Sequence, residues 1–577
     1  MIPKEMENMN ETERAVKFAI IIDRSALSPF EYQVIMNMLD SRLAEISCII
    51  MMETPTICQS RKDSSVRNYF SSFWEQRFAL DFVPTIALSK LRDESSNKER
   101  KIAKVQLSKK SFDGDILSNS ITESIRGLKF ILNLTQRPQD RKLFKNLSLP
   151  VWRFQFGNLK QNGPIESFFT YLYQGQQGIP IYLLSYHKDD IEILRKGFFR
   201  LDPLKIRQNY SDIAFSIMKW GKQAIIDLKN QASKRRLSKN RIKEIFKQDQ
   251  TLELNLKTFG RFIISRYCAI KKNISKKFYR NLITTRRANW NIGIVEKPIF
   301  EILQEKEFFD EIRWLPKPNP WIFWADPFGI RYNDQNYIFY EKFDHSTERA
   351  TIAYLKFTDD FEYSEPHMGL ERPYRLSYPH LLKSDDQIYM IPETAANRTI
   401  SIYEAVDFPN KWKLNKDLME KIRRVDTTTF KFNGKWWMFS HAPEESGLYI
   451  YYAEDLLGPW HSHKNNPVKQ DVRSTRSAGN VFFVKNELYR PTMDLLPLRT
   501  SYGSKIYINK IIKLTETEFR EVTVKKVYPG KSWNYNEGIH TLSYIGDKYT
   551  IIDARNTVAM KISISKALKK ITKRLSL

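Results

Sequence analysis

The spacing of apolar and polar positions divides the chain into stretches of different texture. Residues 17–23 (KFAIIID) and 46–52 (ISCIIMM) are short apolar runs suited to buried strands. Between them, Phe30, Val34, Ile35, Met38 and Leu39 recur at helical spacing. Strand, helix and strand in that order predict a right-handed parallel crossover. A basic stretch over about 61–110 reads as a helical insertion, and further strands are expected at 130–134, 151–156 and 179–184. This is an α/β pattern, assigned to residues 1–205.

From 211 to about 287 the pattern becomes helical and strongly basic, with runs such as SKRRLSKNR at 233–241. Residues 206–288 are therefore expected to be a connecting region with a positive face, either a solvated linker or one that touches a membrane. From 290 to 555 the texture changes to short β runs separated by turn residues, repeating about every 46–61 positions. The first unit reads ADPFGIR (325–331), NDQNYIFYE (333–341) and TIAYL (351–355); later units open at Ser377, Asp426, Ser477 and Ile539. Five such units predict a five-bladed β-propeller over 289–556, because radial repetition protects strand edges. The early strand at 290–295 is expected to complete the last blade. Residues 557–577 read as a tail helix: Ile564, Leu568, Ile571 and Leu575 form a stripe, with lysines on the other faces. It suits an anionic bilayer surface, or equally the protein's own surface.

Composition narrows the choices. The chain of 577 residues is long enough for two or three domains, and 42% apolar residues exclude disorder as its general state. Three cysteines form no disulfide framework and no zinc spacing, which points to a reducing compartment. Neither a signal peptide nor an apolar run of about 18 residues is present, so a cytoplasmic protein is expected, peripheral on the inner face of the cell membrane. The net charge of +27 admits nucleic acid, an anionic membrane or phosphorylated substrates. No nucleic-acid motif is visible, so nucleic acid is not an expected partner. No cofactor or metal is implied, since no glycine-rich nucleotide fingerprint occurs.

Two resemblances follow from the motifs. WADPF (324–328), SYP (377–379), YMIPE (389–393), FPNKW (408–412), KWW (435–437), LGPW (457–460), NP (466–467) and SYG (501–503) occur in one order. Together they resemble the N-terminal propeller domain of plant glucosamine inositolphosphorylceramide transferases, a domain shared with bacterial polysaccharide-cluster proteins. The resemblance implies a five-bladed propeller of furanosidase-like architecture. In glycoside hydrolases of that architecture, carboxylates from several blades surround the axis. By this likeness Asp326 stands at the first-blade position of a general base, with Glu393, Asp426 and Glu341 at comparable places. The second blade opens on Tyr378, Pro379 and His380, where such hydrolases carry an aspartate. The bland reading of Asp326 is a strand-start aspartate bonding backbone amides. Catalytic candidates here are Asp326 and Glu393; His380, Asp426 and His540 are expected to bind an acceptor near the axial mouth.

The N-terminal region resembles the formyltransferase fold, through its strand–helix–strand opening, LPVWRFQFG (149–157) and GQQGIPIY (175–182). The asparagine and histidine of formyl transfer fall on Arg153 and Gln155, and a glutamine cannot act as a general base. The same strand end offers Arg153, Gln155 and Asn158 to a donor phosphate, with Glu166 as a catalytic base. A surface pair of Arg153 with Glu166 is the alternative. The expected function is a glycan-modifying transferase of bacterial surface-polysaccharide synthesis, using a furanosyl or phosphosugar donor and a glycan or lipid-linked acceptor. Sugar N-formyl transfer, a glycan-binding scaffold and a propeller glycosidase are the alternatives.

Overall fold

A computed structural model describes residues 15–23, 26–39, 43–52, 86–87, 103–107, 124–135, 148–157, 164–188, 190–202, 205–229, 284–306, 308–317, 319, 321–496 and 503–561. The chain divides into two compact units, Met1–Ile264 and Ser265–Leu577.

The first unit is α/β. Strand β1 (Val16–Ile22) lies parallel between β2 (Ala44–Met52) and β4 (Phe130–Asn133); β3 (Ala103–Leu107) extends the parallel part beyond β2, and β5 (Val151–Phe156) extends it beyond β4. Two antiparallel strands, β6 (Gly178–His187) and β7 (Asp190–Arg200), continue the sheet from β5. The apolar run at 16–22 fits the sheet centre because both of its faces are covered. Phe18, Ile20 and Ile22 join one core, while Ala19 and Ile21 join the other. The crossover from β1 to β2 runs through helix α1 (Pro29–Leu39), whose Val34, Ile35 and Met38 are buried. Ser28 caps it reciprocally: the Ser28 amide donates to Glu31 Oε2 at 2.8 Å, and the Glu31 amide donates to Ser28 Oγ at 3.3 Å.

Helix α2 (Pro164–Tyr173) follows β5, and two helices, α3 (Ile206–Ile217) and α4 (Trp220–Lys229), follow β7. The last two differ from the linker expected from 206 onward. Ile213, Ile217, Trp220, Ala224 and Ile225 are buried in the same core as α1, and the Asn37 amide donates to Met218 O at 3.3 Å. Their apolar stripe decides the packing, and the basic residues occupy other faces. The rest of the expected linker, 230–283, lies outside the described residues, as does most of the 61–110 insertion.

The second unit is a five-bladed propeller. Blade 1 comprises Ile322–Tyr332, Gln335–Asp344, Arg349–Phe357 and His367–Leu370; blade 2 comprises Ser377–Ser384, Gln387–Glu393, Ile400–Asp407 and Lys411–Met419. Blade 3 comprises Val425–Phe432, Lys435–Ala442, Gly447–Ala453 and the short His461–Ser462. In blade 4 the inner strand is split into Arg476–Ser477 and Phe482–Val484, followed by Glu487–Met493, Ile506–Leu514 and Phe519–Val527. Blade 5 takes Gly538–Ile545 and Tyr549–Lys561 from the end of the chain, then Thr284–Val295 and Ile312–Trp314 from the beginning of the unit. The early strand therefore closes the ring, as its sequence suggested. It does so over a longer span than 290–295, pairing from Thr284 opposite Lys561 to Val295 opposite Thr550. Residues 557–561 continue that strand, and the remainder of the expected tail helix lies outside the described residues.

The first hairpin of blades 1 to 4 turns on two residues in the left-handed region: Asn333-Asp334, Asp385-Asp386, Asn433-Gly434 and Lys485-Asn486. Such turns match the right-handed twist of the strands they join. Apolar side chains fill the spaces between blades; Phe328, Phe339 and Tyr354 of blade 1 meet Leu376, Tyr378 and Leu381 of blade 2.

Candidate functional site

The inner strands of blades 1, 2, 3 and 5 carry a bulge at the same place, between Ala325 and Phe328, Ser377 and His380, Val425 and Thr428, and Ile539 and Leu542. A bulge re-aims the residue it frees. The freed positions begin with Asp326, Tyr378, Asp426 and His540. The first three have φ of 51°, 47° and 49°, a conformation that costs a non-glycine residue energy and that clusters at functional sites. On the adjoining strands, Glu341 stands opposite Ala325 and Glu393 opposite Ser377. The repeat thus brings side chains scattered over more than 200 positions of sequence to one place.

Asp553 organises one side of the cluster. Its Oδ1 accepts the backbone amides of His540 (3.1 Å) and Thr541 (2.9 Å), and its Oδ2 accepts that of Asp326 (2.8 Å). His540 Nδ1 lies 2.6 Å from Asp553 Oδ2, and His540 Nε2 lies 3.5 Å from Asp326 Oδ1. The imidazole is stacked on Trp290, with ring centroids 4.0 Å apart. Burial disfavours a charged imidazole, but Asp553 and then Asp326 outweigh it, so the pKa of His540 is raised. Asp326 is also pushed above the usual carboxylate range; burial is the main cause, with His540 opposing and Asp426 and Asp553 adding. Asp326 and His540 are thus two buried neighbours poised to exchange a proton. The bland reading of Asp326 does not describe it: the amides go to Asp553, and Asp326 Oδ1 accepts the hydroxyl of Thr541 at 3.1 Å.

Asp326, His540 and Asp553 each place a ligand atom within 4.8 Å of the others, a spacing that suits a cation. The donor set favours proton chemistry instead. Both oxygens of Asp553 already take hydrogen-bond donors, and its side chain is fully buried. It orients the histidine and fixes its tautomer.

The other side of the cluster holds two arginine–carboxylate groups. Arg476, from blade 4, bonds Asp426 through Nε and through Nη2 at 3.2 Å, and its Nη2 lies 3.9 Å from Glu393. Arg375 Nη2 donates to Glu341 Oε1 at 2.7 Å. Burial, reinforced by Asp426 and offset by Arg476, pushes Glu393 up to about 8. Burial outweighing Arg375 pushes Glu341 up to about 7. A carboxylic acid that stays protonated near neutrality is a proton donor.

His380 corrects the sequence reading. It lies two residues past the freed position, and Tyr378 occupies that position instead. His380 sits edge-on to Phe328 (5.4 Å), with Nε2 within 3.0 Å of the Thr429 backbone, between blades 2 and 3. Burial holds its pKa down at about 4, so it is a neutral packing residue. The Tyr378 hydroxyl lies 2.8 Å from Thr428 Oγ1 and accepts the Gly479 amide at 2.8 Å. At Gly479 a Cβ would stand 1.8 Å from Leu542 O, so only glycine fits where blades 4 and 5 meet.

In the first unit, Arg153 and Gln155 fall on one face of β5, opposite the face of Trp152, Phe154 and Phe156. Gln155 is buried and its amide donates to Phe156 O at 3.2 Å; Ser167 Oγ of α2 donates to the same carbonyl at 2.6 Å. Asn158 lies outside the described residues, and of Glu166 only the backbone, within α2, is described.

Sequence reasoning found Asp326, Glu341, Glu393, Asp426 and His540. It missed Tyr378 as a ring residue, and also Asp553, Arg375 and Arg476. Tyr378-Pro379 repeating the place of Asp326-Pro327 was the available signal for the first. The others have none: the partners of Arg375 and Arg476 come from other blades, and Asp553 reaches His540 only through the pairing of the two strands of blade 5.

A family model described as "Glucosamine inositolphosphorylceramide transferase 1, N-terminal" matches residues 316–554, within the propeller. Glucosamine inositolphosphorylceramide transferase 1 of Oryza sativa subsp. japonica is 34% identical over 211 residues, covering 35% of this chain and 28% of that protein. The Arabidopsis thaliana protein of the same name is 33% identical, with coverages of 35% and 27%. Among solved structures, a family 117 glycoside hydrolase from Zobellia galactanivorans has a TM-score of 0.30 at 15% identity, covering 44% of this chain and 78% of its own. The catalytic domain of a Coprinopsis cinerea α-L-arabinofuranosidase has a TM-score of 0.30 at 12% identity, with coverages of 41% and 92%. The chain spans a little over a quarter of the length of the curated relatives it matches, and the family likeness lies in the propeller.

Proposed function

We propose that this chain is a glycan-modifying transferase whose propeller mouth binds the acceptor sugar and moves its proton. The observation that carries the reading is the Asp326–His540–Asp553 relay with Glu393 and Asp426 beside it. The names of the relatives support a transferase acting on a glycolipid. In this reading an acceptor hydroxyl gives its proton to the Asp326 carboxylate as its oxygen attacks the anomeric carbon of the donor. The new glycosidic bond forms as the bond to the departing phosphate breaks, and His540, held by Asp553, keeps Asp326 ionised until it takes that proton.

The finer parts of the proposal concern the first unit and the setting. The first unit, whose sequence resembles the formyltransferase fold, binds a phosphate-bearing donor through Arg153 and Gln155, with Asn158 as a further donor-binding residue and Glu166 as a catalytic base. The setting is surface-polysaccharide assembly in a bacterium, at the cytoplasmic face of the membrane. The charge of +27 holds the protein there against anionic lipid. A protonated Glu393 beside Asp426, in the same cluster as Asp326, also suits glycoside cleavage, the second reading.

The test is a transfer assay with sugar-nucleotide donors and glycolipid acceptors. Asp326→Asn should lower kcat by roughly a hundredfold or more. Arg153→Ala should raise the donor KM by about ten- to a hundredfold. Wild-type turnover by Asp326→Asn would remove the chemistry from the propeller. Release of free sugar without transfer would establish the second reading.

A further inference from the structure

We propose that the rim of the propeller mouth carries a phosphate-binding subsite, formed by Arg287, Lys317 and His345, for a phosphate borne by the ligand whose sugar enters the mouth. The inference rests on the mouth being the acceptor site and adds a charged group to what enters it. Two segments converge on residues 287–290 of the strand Thr284–Val295. Lys317 Nζ donates to Asn289 Oδ1 and, at 3.2 Å, to Trp290 O. His345 Nε2 lies 3.0 Å from Ala288 O. Arg287 lies two residues before Asn289 on the paired strand and so shares its face. Trp290 in turn is stacked on His540, with ring centroids 4.0 Å apart. The loop that carries Lys317 runs into the inner strand of blade 1, which carries Asp326. The three bases therefore border the proton relay, where blade 5 meets blade 1.

This place differs from the other side of the mouth in that its positive charge has no carboxylate. Both bonded partners of Lys317 are neutral, and burial acts on it unopposed, holding its pKa down at about 8. Arg287 Nε is buried without a hydrogen-bond partner, and among the described residues Arg287 forms no ion pair. The pKa of His345 is lowered, mainly by burial; Arg287 and Lys317 add to that, while the Ala288 carbonyl and Asp344 oppose it. Asp344 is turned to its own loop, where Oδ1 accepts the Ser346 amide at 2.7 Å. Arg555, which lies 5.7 Å over the Trp290 ring, is matched separately, with Glu537 3.9 Å from it.

Holding a lysine and an arginine partly out of water with no counterion is unfavourable, and a bound anion offsets that cost. Phosphate suits the donors better than carboxylate does. An ammonium with a third N–H, a guanidinium fork and an imidazole that gains a proton can each take a different oxygen of a tetrahedral group. The arriving negative charge should also raise the pKa of His345, reversing the effect of Arg287 and Lys317.

Calorimetric titration of the full chain with glucose 1-phosphate, inorganic phosphate and methyl glucoside near neutral pH tests this, together with NMR titration of His345. Glucose 1-phosphate should bind about tenfold or more tightly than methyl glucoside. Arg287→Ala and Lys317→Met should each weaken both phosphates by about ten- to a hundredfold and leave methyl glucoside within about twofold. Arg287→Lys, which keeps the charge without the fork, should fall between. Lys413→Ala, on the outer strand of blade 2 and 72% exposed, should change nothing. Inorganic phosphate should raise the pKa of His345 in the parent and not in Arg287→Ala. Should Lys317→Met fail to fold, Arg287→Ala carries the test by itself. Displacement of glucose 1-phosphate by phosphatidylinositol vesicles would assign the phosphate to a lipid headgroup, and failure to displace it would assign a soluble phosphosugar. An unmoved His345, or full affinity for glucose 1-phosphate in Arg287→Ala, overturns the proposal. If in that case methyl glucoside binds and Asp326→Asn weakens it, the acceptor reading stands without the phosphate; if none of the three binds, both fall.

Discussion

Two arginine–carboxylate groups inside the propeller differ in what each carboxylate has to share. In blade 4, Arg490 and Glu521 are fully buried; Glu521 Oε1 lies 2.7 Å from Arg490 Nη2 and 2.7 Å from Lys469 Nζ. Burial would raise the pKa of Glu521, but Arg490 and then Lys469 outweigh it, and it is lowered. At the mouth, Glu393 is largely buried, with 17% of its side chain exposed, but shares Arg476 with Asp426, which bonds it more closely, and its pKa rises to about 8. Burial is common to both; the ratio of cations to carboxylates sets the direction. A surplus of cations makes a permanent brace, and a surplus of carboxylates leaves a proton that can move.

Breaking the brace should have the largest effect. Glu521→Gln leaves Arg490 and Lys469 facing a neutral amide in the interior, and should destabilise the propeller by about 3–5 kcal/mol in urea unfolding. Because the folded-state pKa of Glu521 is lowered, its contribution is present above the ordinary carboxylate range and is lost as pH falls through the folded value. Wild-type stability in this variant would dissolve the distinction.

Next in size is Asp553→Asn. The amide would turn donors toward the backbone N–H groups that Asp553 now accepts, at a cost of about 2–3 kcal/mol. It should also lower the apparent pKa of His540 by NMR titration, since its strongest charged partner is gone.

Glu393→Gln should act in the opposite direction at high pH. A raised pKa means stability that is full below about 4.5 and lost as pH rises toward about 8. The amide imitates the protonated acid, so at pH 9 the variant should be more stable than the parent by ~2 kcal/mol. Below pH 5 the two should unfold alike. A variant less stable at pH 9 would show that Glu393 is a brace like Glu521.

The smallest effect is expected from Tyr378→Phe, which leaves the buried Gly479 amide without its hydroxyl acceptor and should cost ~1–2 kcal/mol. Because Tyr378 stands where Asp326 and Asp426 stand in their blades, Tyr378→Asp sharpens the comparison. It adds a carboxylate to the surplus, and should raise the apparent pKa of Glu393 further.

The architecture was legible because each propeller unit is local. Turn pairs such as Asn333-Asp334 and Asn433-Gly434, followed by alternating aromatic strands, mark the blade hairpins within about twenty residues. The strand at β1 was legible for a similar reason, being apolar on both faces. The helices α3 and α4 were misjudged because their charge is conspicuous along the sequence, whereas burial of Ile213, Ile217 and Trp220 depends on a surface made by distant segments.

The sequence by itself determined the five-fold repeat, the α/β unit before it, and three of the four residues that begin the bulges, Asp326, Asp426 and His540. It did so because turn chemistry, alternation and strand propensity act over short distances. Only the tertiary structure decided that Asp553 orients His540, that Tyr378 and not His380 takes the ring position, and that Arg476 divides itself between Asp426 and Glu393. The first depends on how the two strands of blade 5 pair, and the other two on which blades become neighbours when the ring closes. The proton held by Glu393 depends on them in turn, because a buried carboxyl group takes its charge state from the balance of every charge brought near it.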